Sequence, residues 1–288
     1  MSSKLLRIKD ISPFLARELK DLFYDENEIA ALARIIIKTI FRGSGLHQVY
    51  NSSTLLNSDQ SLEVSRFCSE LRTGKPYQYI TGETEFLDCR LKVKPGVLIP
   101  RPETEELADM IIRENRSYKG NIADFGTGSG CIAVALAKGI PGAKVTGYDV
   151  SVEALEIASE NATINKADAA FEKFDILRPG TKPPGPAGII VSNPPYVLNS
   201  EKAHMRKNVL EFEPPLALFV DDNDPLVFYR KIAEISADIL EKKGRIYFEI
   251  NESMGAGVAS LLSARGFTGI SIVKDLHEKD RFVKATKP

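Results

Sequence analysis

Beyond Thr104 the chain alternates helix-like and strand-like stretches with a regularity that leaves few folds open. The spacing predicts a helix over Ala108 to Asn115, a strand over Ile122 to Phe125, a helix over Cys131 to Lys138 and a strand over Ala143 to Tyr148. A helix follows over Val152 to Ile164, then a strand over Ala170 to Phe174, a Pro/Gly-rich loop from Arg178 to Gly188 and an apolar strand over Ile189 to Ser192. Downstream come a helix from Pro225 to Leu240, a strand from Arg245 to Ile250, a helix near Met254 to Ala264, and strands near Gly269 to Val273 and Phe282 to Ala285. Such alternation implies a mainly parallel α/β sheet covered on both faces, which binds ligands beyond the carboxyl ends of its strands. Residues at those ends are the candidates for chemistry.

The preceding stretch has a different period. Ser12 before Pro13 predicts a helix start, leading into Phe14, Leu15, Leu19, Leu22 and Phe23 at helical spacing. A second helix is expected from Glu28 to Phe41, a polar turn at Asn51-Ser52-Ser53, and a third helix from Ser58 to Thr73 with Gly74 as its stop. These give a small N-terminal helical bundle over residues 1–75. From Tyr79 to Pro100 the apolar residues Phe86, Leu91, Val93, Val97 and Ile99 predict a short β-hairpin, placed in a linker over residues 76–103 ahead of a sheet domain over 104–288.

Four strand ends carry distinctive residues. The first runs into Asp124-Phe125-Gly126-Thr127-Gly128-Ser129-Gly130, a glycine turn that opens a helix and suits a ligand approaching unpaired amides. The second ends at Asp149, 23 residues after Gly126, where a carboxylate can accept both hydroxyls of a ribose or else cap the next helix, a task that Ser151 also suits. The third ends at Phe174-Asp175, whose carboxylate can meet an adenine amino group, cap a helix or face solvent.

Asn193-Pro194-Pro195-Tyr196 ends the fourth strand and separates methyl transfer from hydride transfer. Two prolines cannot continue a sheet ladder, so the chain leaves the sheet rigidly. An amide or exocyclic amino nitrogen is a poor nucleophile because its lone pair is delocalised. The Asn193 side-chain oxygen and the Pro194 carbonyl can grip its two hydrogens, and Tyr196 can stack on the planar group, so that catalysis rests on positioning and electrostatics. Glu211-Phe212-Glu213-Pro214-Pro215 either covers the substrate or forms an exposed acidic loop; Leu98 to Glu105 either packs domains together or reaches the methyl-donor site.

Composition narrows the field. A formal net charge of -1 provides no whole-chain field to hold a phosphate backbone. Cys68, Cys89 and Cys131 lack metal-ligand or disulfide spacing, and His47, His204 and His277 stand apart, so no metal site is expected. Without a signal-like or membrane-spanning apolar run, the chain is expected to be soluble and cytoplasmic.

Taken with Gly74-Lys75-Pro76, Gln78-Tyr79-Ile80, Gly82, Leu98 to Glu105, Glu213-Pro214, Ala217-Leu218 and Glu249-Ile250, these segments resemble the HemK-type family of peptide-chain release factor glutamine methyltransferases over roughly residues 62–286. The Ile99-Pro100-Arg101-Pro102-Glu103-Thr104-Glu105 stretch is the more specific signature, since the Asn-Pro-Pro-Tyr motif is shared with DNA adenine and RNA guanine amino-methyltransferases. The resemblance implies a Rossmann-like class I methyltransferase sheet of seven strands behind a helical substrate-recognition domain. It further implies transfer of methyl from S-adenosylmethionine to the glutamine amide nitrogen of the release-factor Gly-Gly-Gln loop, leaving S-adenosylhomocysteine. By motif position, Gly126, Thr127, Gly128, Ser129 and Gly130 hold the methionine part and Asp149 the ribose. Asn193 to Tyr196 hold the glutamine, with Asn193 bordering the cofactor as well. An amino-methyltransferase acting on nucleic acid is the alternative. Val220-Asp221-Asp222 and Asn251 stand where the family usually has glycines, which leaves the local loop geometry open.

Overall fold

The alternation beyond Thr104 folds, in a computed structural model that describes residues 6–22, 25–41, 53–179 and 184–288, into one twisted sheet. Residues 1–5, Phe23, His47, Asn51-Ser52 of the expected polar turn and positions 180–183 of the Pro/Gly-rich loop lie outside the described residues. The chain divides into two compact units, Met1–Gly82 and Glu83–Pro288, so the segment expected as a linker is shared between them.

In the first unit the helices are α1 (Ile11–Glu18), α2 (Glu26–Ile40), α3 (Ser58–Arg72) and α4 (Tyr77–Thr81). Helix α1 begins one residue before Ser12, with Asp10 as its N-cap, so Pro13 occupies the third helical position, where the missing N–H has no intrahelical partner to lose. Asp25 and Asn57 close reciprocal capping boxes with Glu28 and Gln60, which fixes the starts of α2 and α3. Their apolar stripes meet in a core of Leu15, Ile36, Leu56, Phe67 and Leu71. Helix α4 corrects the expectation that strand character begins at Tyr79; it ends at Gly82, whose φ of 75° is the left-handed cap.

The second unit opens with the hairpin β1 (Glu83–Phe86) and β2 (Cys89–Lys92), then α5 (Pro102–Glu114), β3 (Asn121–Phe125), α6 (Cys131–Gly139), β4 (Lys144–Asp149), α7 (Val152–Asn165), β5 (Ala169–Lys173) and β6 (Ala187–Ser192). There follow β7 (Val197–Leu198), α8 (Lys207–Phe212), β8 (Phe219–Val220), α9 (Val227–Ile239), β9 (Leu240–Glu249), α10 (Gly255–Ala264), β10 (Thr268–Lys274) and β11 (Asp280–Thr286). Among the described residues, seven strands form the main sheet in the order β10-β11-β9-β6-β3-β4-β5. β9, β6, β3, β4 and β5 are parallel, and β11 inserts antiparallel beside β9. Helix α5 starts at Pro102, ahead of the expected Ala108, because proline at its first position and Glu103 and Glu105 in its first turn suit a helix N-terminus. Strand β9 starts at Leu240, where a helix end was expected, and slips register between the Ala187 and Ile189 pairings before running straight to Glu249.

Two apolar layers cover the sheet. One contains Leu107, Ile111, Val134 and Leu136, together with Phe86, Cys89 and Leu91 of the hairpin; the other contains Tyr229, Ile232, Val258 and Leu262. Cys89 of the hairpin is buried in the first of these layers. Asn161 of α7 joins hairpin to sheet: it is fully buried, accepts from the Lys92 amide at 2.6 Å, and donates to the Lys92 carbonyl at 3.0 Å and the Ser129 carbonyl at 2.9 Å. Asn161→Ala strands those three backbone groups and should destabilise the fold by roughly 2–4 kcal/mol in urea unfolding. A midpoint equal to wild type would mean that Asn161 adds nothing to the apolar contacts and the Asn165 hydrogen bonds that also hold the hairpin.

Candidate active site

The glycine turn after β3 takes its shape from backbone geometry that side chains resist. Gly126, Gly128 and Gly130 have φ of 73°, 53° and 77°. A Cβ at Gly126 or Gly128 would meet nothing within 4 Å, whereas one at Gly130 would lie 2.8 Å from the Ala158 Cβ and 3.1 Å from its Cα. The first two glycines thus border open space, while the third lets α7 pack against the turn. The amides of Gly126 and Thr127 both donate to the Tyr148 carbonyl of β4, at 2.8 and 3.0 Å, and the Gly130 amide donates to the Thr127 carbonyl at 2.8 Å. Beneath the turn, the Thr127 hydroxyl donates to the fully buried Asp124 at 2.6 Å. Burial pushes the Asp124 carboxyl up to about 7, opposed by the Thr127 hydrogen bond and assisted by the charge on Asp149.

Asp149 fastens the ends of β3 and β4 together. One carboxylate oxygen accepts from the Gly128 amide and the other from the Ser151 amide, each at 2.9 Å. The cap of α7 is Ser151, whose hydroxyl accepts from the Ala154 amide at 3.2 Å. A carboxylate has about four lone-pair sites, so Asp149 retains acceptor capacity for ribose hydroxyls beside the open face of Gly128. Its pKa is raised by burial, against the hydrogen bonds from Ser151 and Gly128. Asp175 follows β5 and accepts from the Leu177 amide at 2.9 Å, closing an Asx turn.

At the end of β6 the Ser192 hydroxyl donates to the Phe125 carbonyl at 2.6 Å, bringing Asn193 to Tyr196 next to the glycine turn. The Asn193 amide NH2 donates to the Thr104 hydroxyl oxygen at 3.0 Å. Thr104, on the first turn of α5, donates in turn to Glu249 Oε2 at 2.7 Å, and the Tyr196 hydroxyl donates to Glu249 Oε1 at 3.0 Å. Glu249 ends β9 and is fully buried. Burial pushes its carboxyl up to about 7, while Thr104 and Tyr196 pull it down. Burial, then the Glu249 charge, raises Tyr196. Among the described residues, Asn193 Oδ1 and the Pro194 carbonyl accept no hydrogen bond.

The connection beyond Tyr196 is anchored at both ends. β7 pairs in parallel with β8, and the buried Glu213 accepts from the Ile99 amide at 3.2 Å and pairs with Arg101 at 2.5 Å. Glu213 is therefore the clasp between this connection and the Leu98 to Glu105 stretch, and Glu211 alone of the two carboxylates is exposed. Of the residues standing in place of family glycines, Asn251 closes a turn by accepting from the amide and hydroxyl of Ser253, whereas Asp222 ties two segments together by accepting from those of Ser200.

The structure thus gathers Gly126 to Gly128, Asp149 and Asn193 to Tyr196 at one sheet edge, with Asp175 in the loop after the neighbouring strand. Thr104 and Glu249 join them, although the sequence patterns assign neither a role; their membership in two separate motif stretches was the available signal. Open space at two positive-φ glycines, beside a carboxylate with spare lone pairs, fits a nucleoside-bearing ligand. Among the described residues, no group of His, Cys, Asp and Glu could hold a metal ion, and no helix is long and apolar enough to cross a membrane.

Residues 104–212 match the methyltransferase small domain family model. Over 277 residues, covering 96% of this chain and 99% of the relative, the sequence is 39% identical to a release factor glutamine methyltransferase of Bacteroides thetaiotaomicron. It is 42% identical to that of Flavobacterium psychrophilum over 96% of this chain and 98% of the relative. The chain belongs to the release factor glutamine methyltransferase family. In fold, this family member is similar to a methyltransferase from Pyrococcus furiosus, with a TM-score of 0.51 at 15% identity over 80% of this chain and 99% of that one. It is also similar to a Thermus thermophilus 16S rRNA N2 methyltransferase in complex with AdoMet and guanosine, with a TM-score of 0.52 at 18% identity over 72% of this chain and 50% of that one. Both neighbours carry the class I methyltransferase fold expected from the strand and helix alternation.

The two kinds of glycine separate experimentally. Gly128→Val should abolish S-adenosylmethionine binding in calorimetry while leaving the sheet folded, whereas Gly130→Ala should lower stability by about 1–3 kcal/mol through overpacking against Ala158. Wild-type affinity in Gly128→Val would remove the turn from the site. Because the raised Asp124 pKa favours its proton in the folded state, the stability it contributes is complete below the ordinary carboxylate range and is lost as pH rises through about 7. Urea titrations of the ligand-free protein across that window should therefore show a smaller loss for Asp124→Asn than for wild type; identical pH slopes would contradict the assignment.

Proposed function

We propose that this enzyme transfers a methyl group from S-adenosylmethionine to the side-chain amide nitrogen of the glutamine in the Gly-Gly-Gln loop of peptide-chain release factors, in the cytoplasm. The observation that carries the reading is the orientation of Asn193: with its NH2 committed to Thr104, its oxygen is turned away and left as an acceptor. Bound S-adenosylmethionine supplies an electrophilic methyl on a sulfonium centre. Gly126 and Gly128 offer room for its methionine part, with Thr127 and Ser129 shaping the turn and Gly130 fixing it against α7. Asp149 accepts from the ribose hydroxyls, and Asp175 is the acceptor proposed for the adenine amino group.

The substrate amide has two hydrogens and a delocalised lone pair. Asn193 Oδ1 and the Pro194 carbonyl accept those hydrogens, so rotation and pyramidalisation of the nitrogen are favoured over the flat, unreactive amide. The new N–C bond forms as the sulfonium S–methyl bond breaks to leave S-adenosylhomocysteine, and one of the amide hydrogens leaves as a proton to solvent. Pro195 holds the turn rigid, and Tyr196, with its hydroxyl fixed on Glu249, presents a ring face to the planar group. No side chain has to act as a covalent nucleophile. The helical unit Met1–Gly82 is proposed to recognise the release factor, and nucleic acid is not proposed as a substrate.

Asp149→Ala should weaken S-adenosylmethionine binding by roughly 1.5–3 kcal/mol, the size of a charge-assisted hydrogen bond. Asn193→Ala should leave that affinity nearly unchanged but slow single-turnover methyl transfer to a release factor by roughly two to three orders of magnitude. Transfer at the wild-type rate, with both ligands saturating, would refute the proposed role of Asn193.

A further inference from the structure

Asn193 can present either its oxygen or its NH2 to a substrate, and only the oxygen can accept an amide hydrogen. A terminal amide rotates between these states at little intrinsic cost, so something must choose. Thr104 touches the amide, but a hydroxyl both donates and accepts and by itself selects neither state. The choice is made one step further away. The Glu249 carboxylate, when ionised, is an acceptor only, and Thr104 lies 2.7 Å from it; the threonine hydrogen is therefore committed to Glu249. Its oxygen must then accept, and the group 3.0 Å away on Asn193 must be the NH2. The second carboxylate oxygen receives the Tyr196 hydroxyl, so one buried group governs both ends of the tetrapeptide.

We propose that Glu249 is a positioning residue for methyl transfer, imposing through Thr104 the amide orientation in which Asn193 offers its oxygen to the substrate nitrogen. This rests on the role assigned to Asn193 above. A carboxylate wholly removed from water is costly unless it is paired or hydrogen-bonded. Here it receives the hydroxyls of Thr104 and Tyr196, and the Tyr229 hydroxyl donates to the Glu249 backbone carbonyl at 3.0 Å. Facing it are Glu103 beside Thr104 on α5, Arg281 on β11, Tyr196 after β6, Tyr229 on α9 and Cys131 at the start of α6. Arg281 favours the ionised form and Glu103 opposes it. Arg281 is itself tied to Asp275 at 3.1 Å, so it does not neutralise the carboxylate by direct contact. Protonation makes Glu249 a donor, allows the Thr104 hydroxyl to turn toward Asn193, and lets the amide flip so that its NH2 confronts the substrate hydrogens. The productive orientation is thus present above the folded pKa and lost as pH falls through about 7.

The test is single-turnover methyl transfer to a release factor, with both ligands saturating, at pH values on either side of 7. Wild type should show an acid limb near pH 7. Glu249→Gln, which can donate as well as accept, should be slower by roughly 10–100-fold, the scale on which outer positioning partners act, and should lack that limb. Thr104→Val should match it, and Thr104→Ser should restore the rate to within about threefold of wild type, since it returns the relay hydroxyl. S-adenosylmethionine affinity should hold in all three; Thr104→Val, which leaves a buried carboxylate oxygen of Glu249 without its partner, should also lower the thermal midpoint, whereas Thr104→Ser should not. In the ligand-free protein, the Asn193 side-chain NH2 resonances should move with an inflection near pH 7 in wild type and not in Glu249→Gln. If Glu249 acts through Asn193, adding Glu249→Gln to Asn193→Ala should cost almost nothing further.

Multiplying losses, an acid limb that persists in Glu249→Gln, or a wild-type rate in that variant would overturn the proposal. Should Glu249→Gln not fold, Thr104→Val decides by the same criteria. A slow Asn193→Ala beside a fast Glu249→Gln would sink the relay alone, whereas a fast Asn193→Ala would sink the reading of the site beneath it.

Discussion

Each parallel strand of this sheet must pass its chain to a helix or loop at its carboxyl end, and the amides exposed there must find acceptors. Asp149 meets that demand for two strands at once. By accepting from Gly128 on one side and Ser151 on the other, it fixes the glycine turn at positive φ and starts α7 from a defined point. The Ser192 hydroxyl on the Phe125 carbonyl extends the same register to the next strand, and Asn161 carries it back to the hairpin. The ligand-facing edge is therefore built largely from hydrogen bonds between neighbouring strand ends, with apolar layers above and below supplying the bulk of the stability.

Two buried carboxylates lie under this edge, and both have pKa values pushed up to about 7 by loss of water. Asp124 shapes the turn through Thr127; Glu249 orders the tetrapeptide through Thr104 and Tyr196. Keeping such groups inside costs stability at neutral pH, and each lies where a buried hydroxyl donates to it. An apolar replacement would leave those hydroxyls without an acceptor and could not determine which way a hydroxyl or an amide points. That division between stability and orientation suits a reaction in which no side chain becomes covalently involved.

The parts of the site legible in the sequence were those with local physical causes. Glycines at a strand-to-helix turn, an acid at the next strand end and a Pro-Pro pair that cannot continue a ladder each act within a few residues. The partners of Asn193 were not legible in this way, because Thr104 and Glu249 are separated by 145 residues and meet only through the sheet order that sets β9 beside β6. Similarly, Glu213 read as one of two acids in a loop until the fold brought Arg101 and the Ile99 amide to it. A boundary failed where a helix-start signal competed with periodicity: α5 begins at its proline, six residues before the apolar repeat expected at Ala108. The short elements α4, α8, β7 and β8 escaped because segments of two to six residues carry too few positions to define a period.

Identification of the methylated atom tests the central claim most directly. The purified enzyme is incubated with labelled S-adenosylmethionine and, in parallel, with a release factor or with ribosomal RNA and DNA, and the products are digested and sequenced by mass spectrometry. The account predicts a single methyl group on the side-chain amide nitrogen of the glutamine in the Gly-Gly-Gln loop, with label absent from both nucleic acids. Label on a nucleic-acid base with none on the release factor would contradict it.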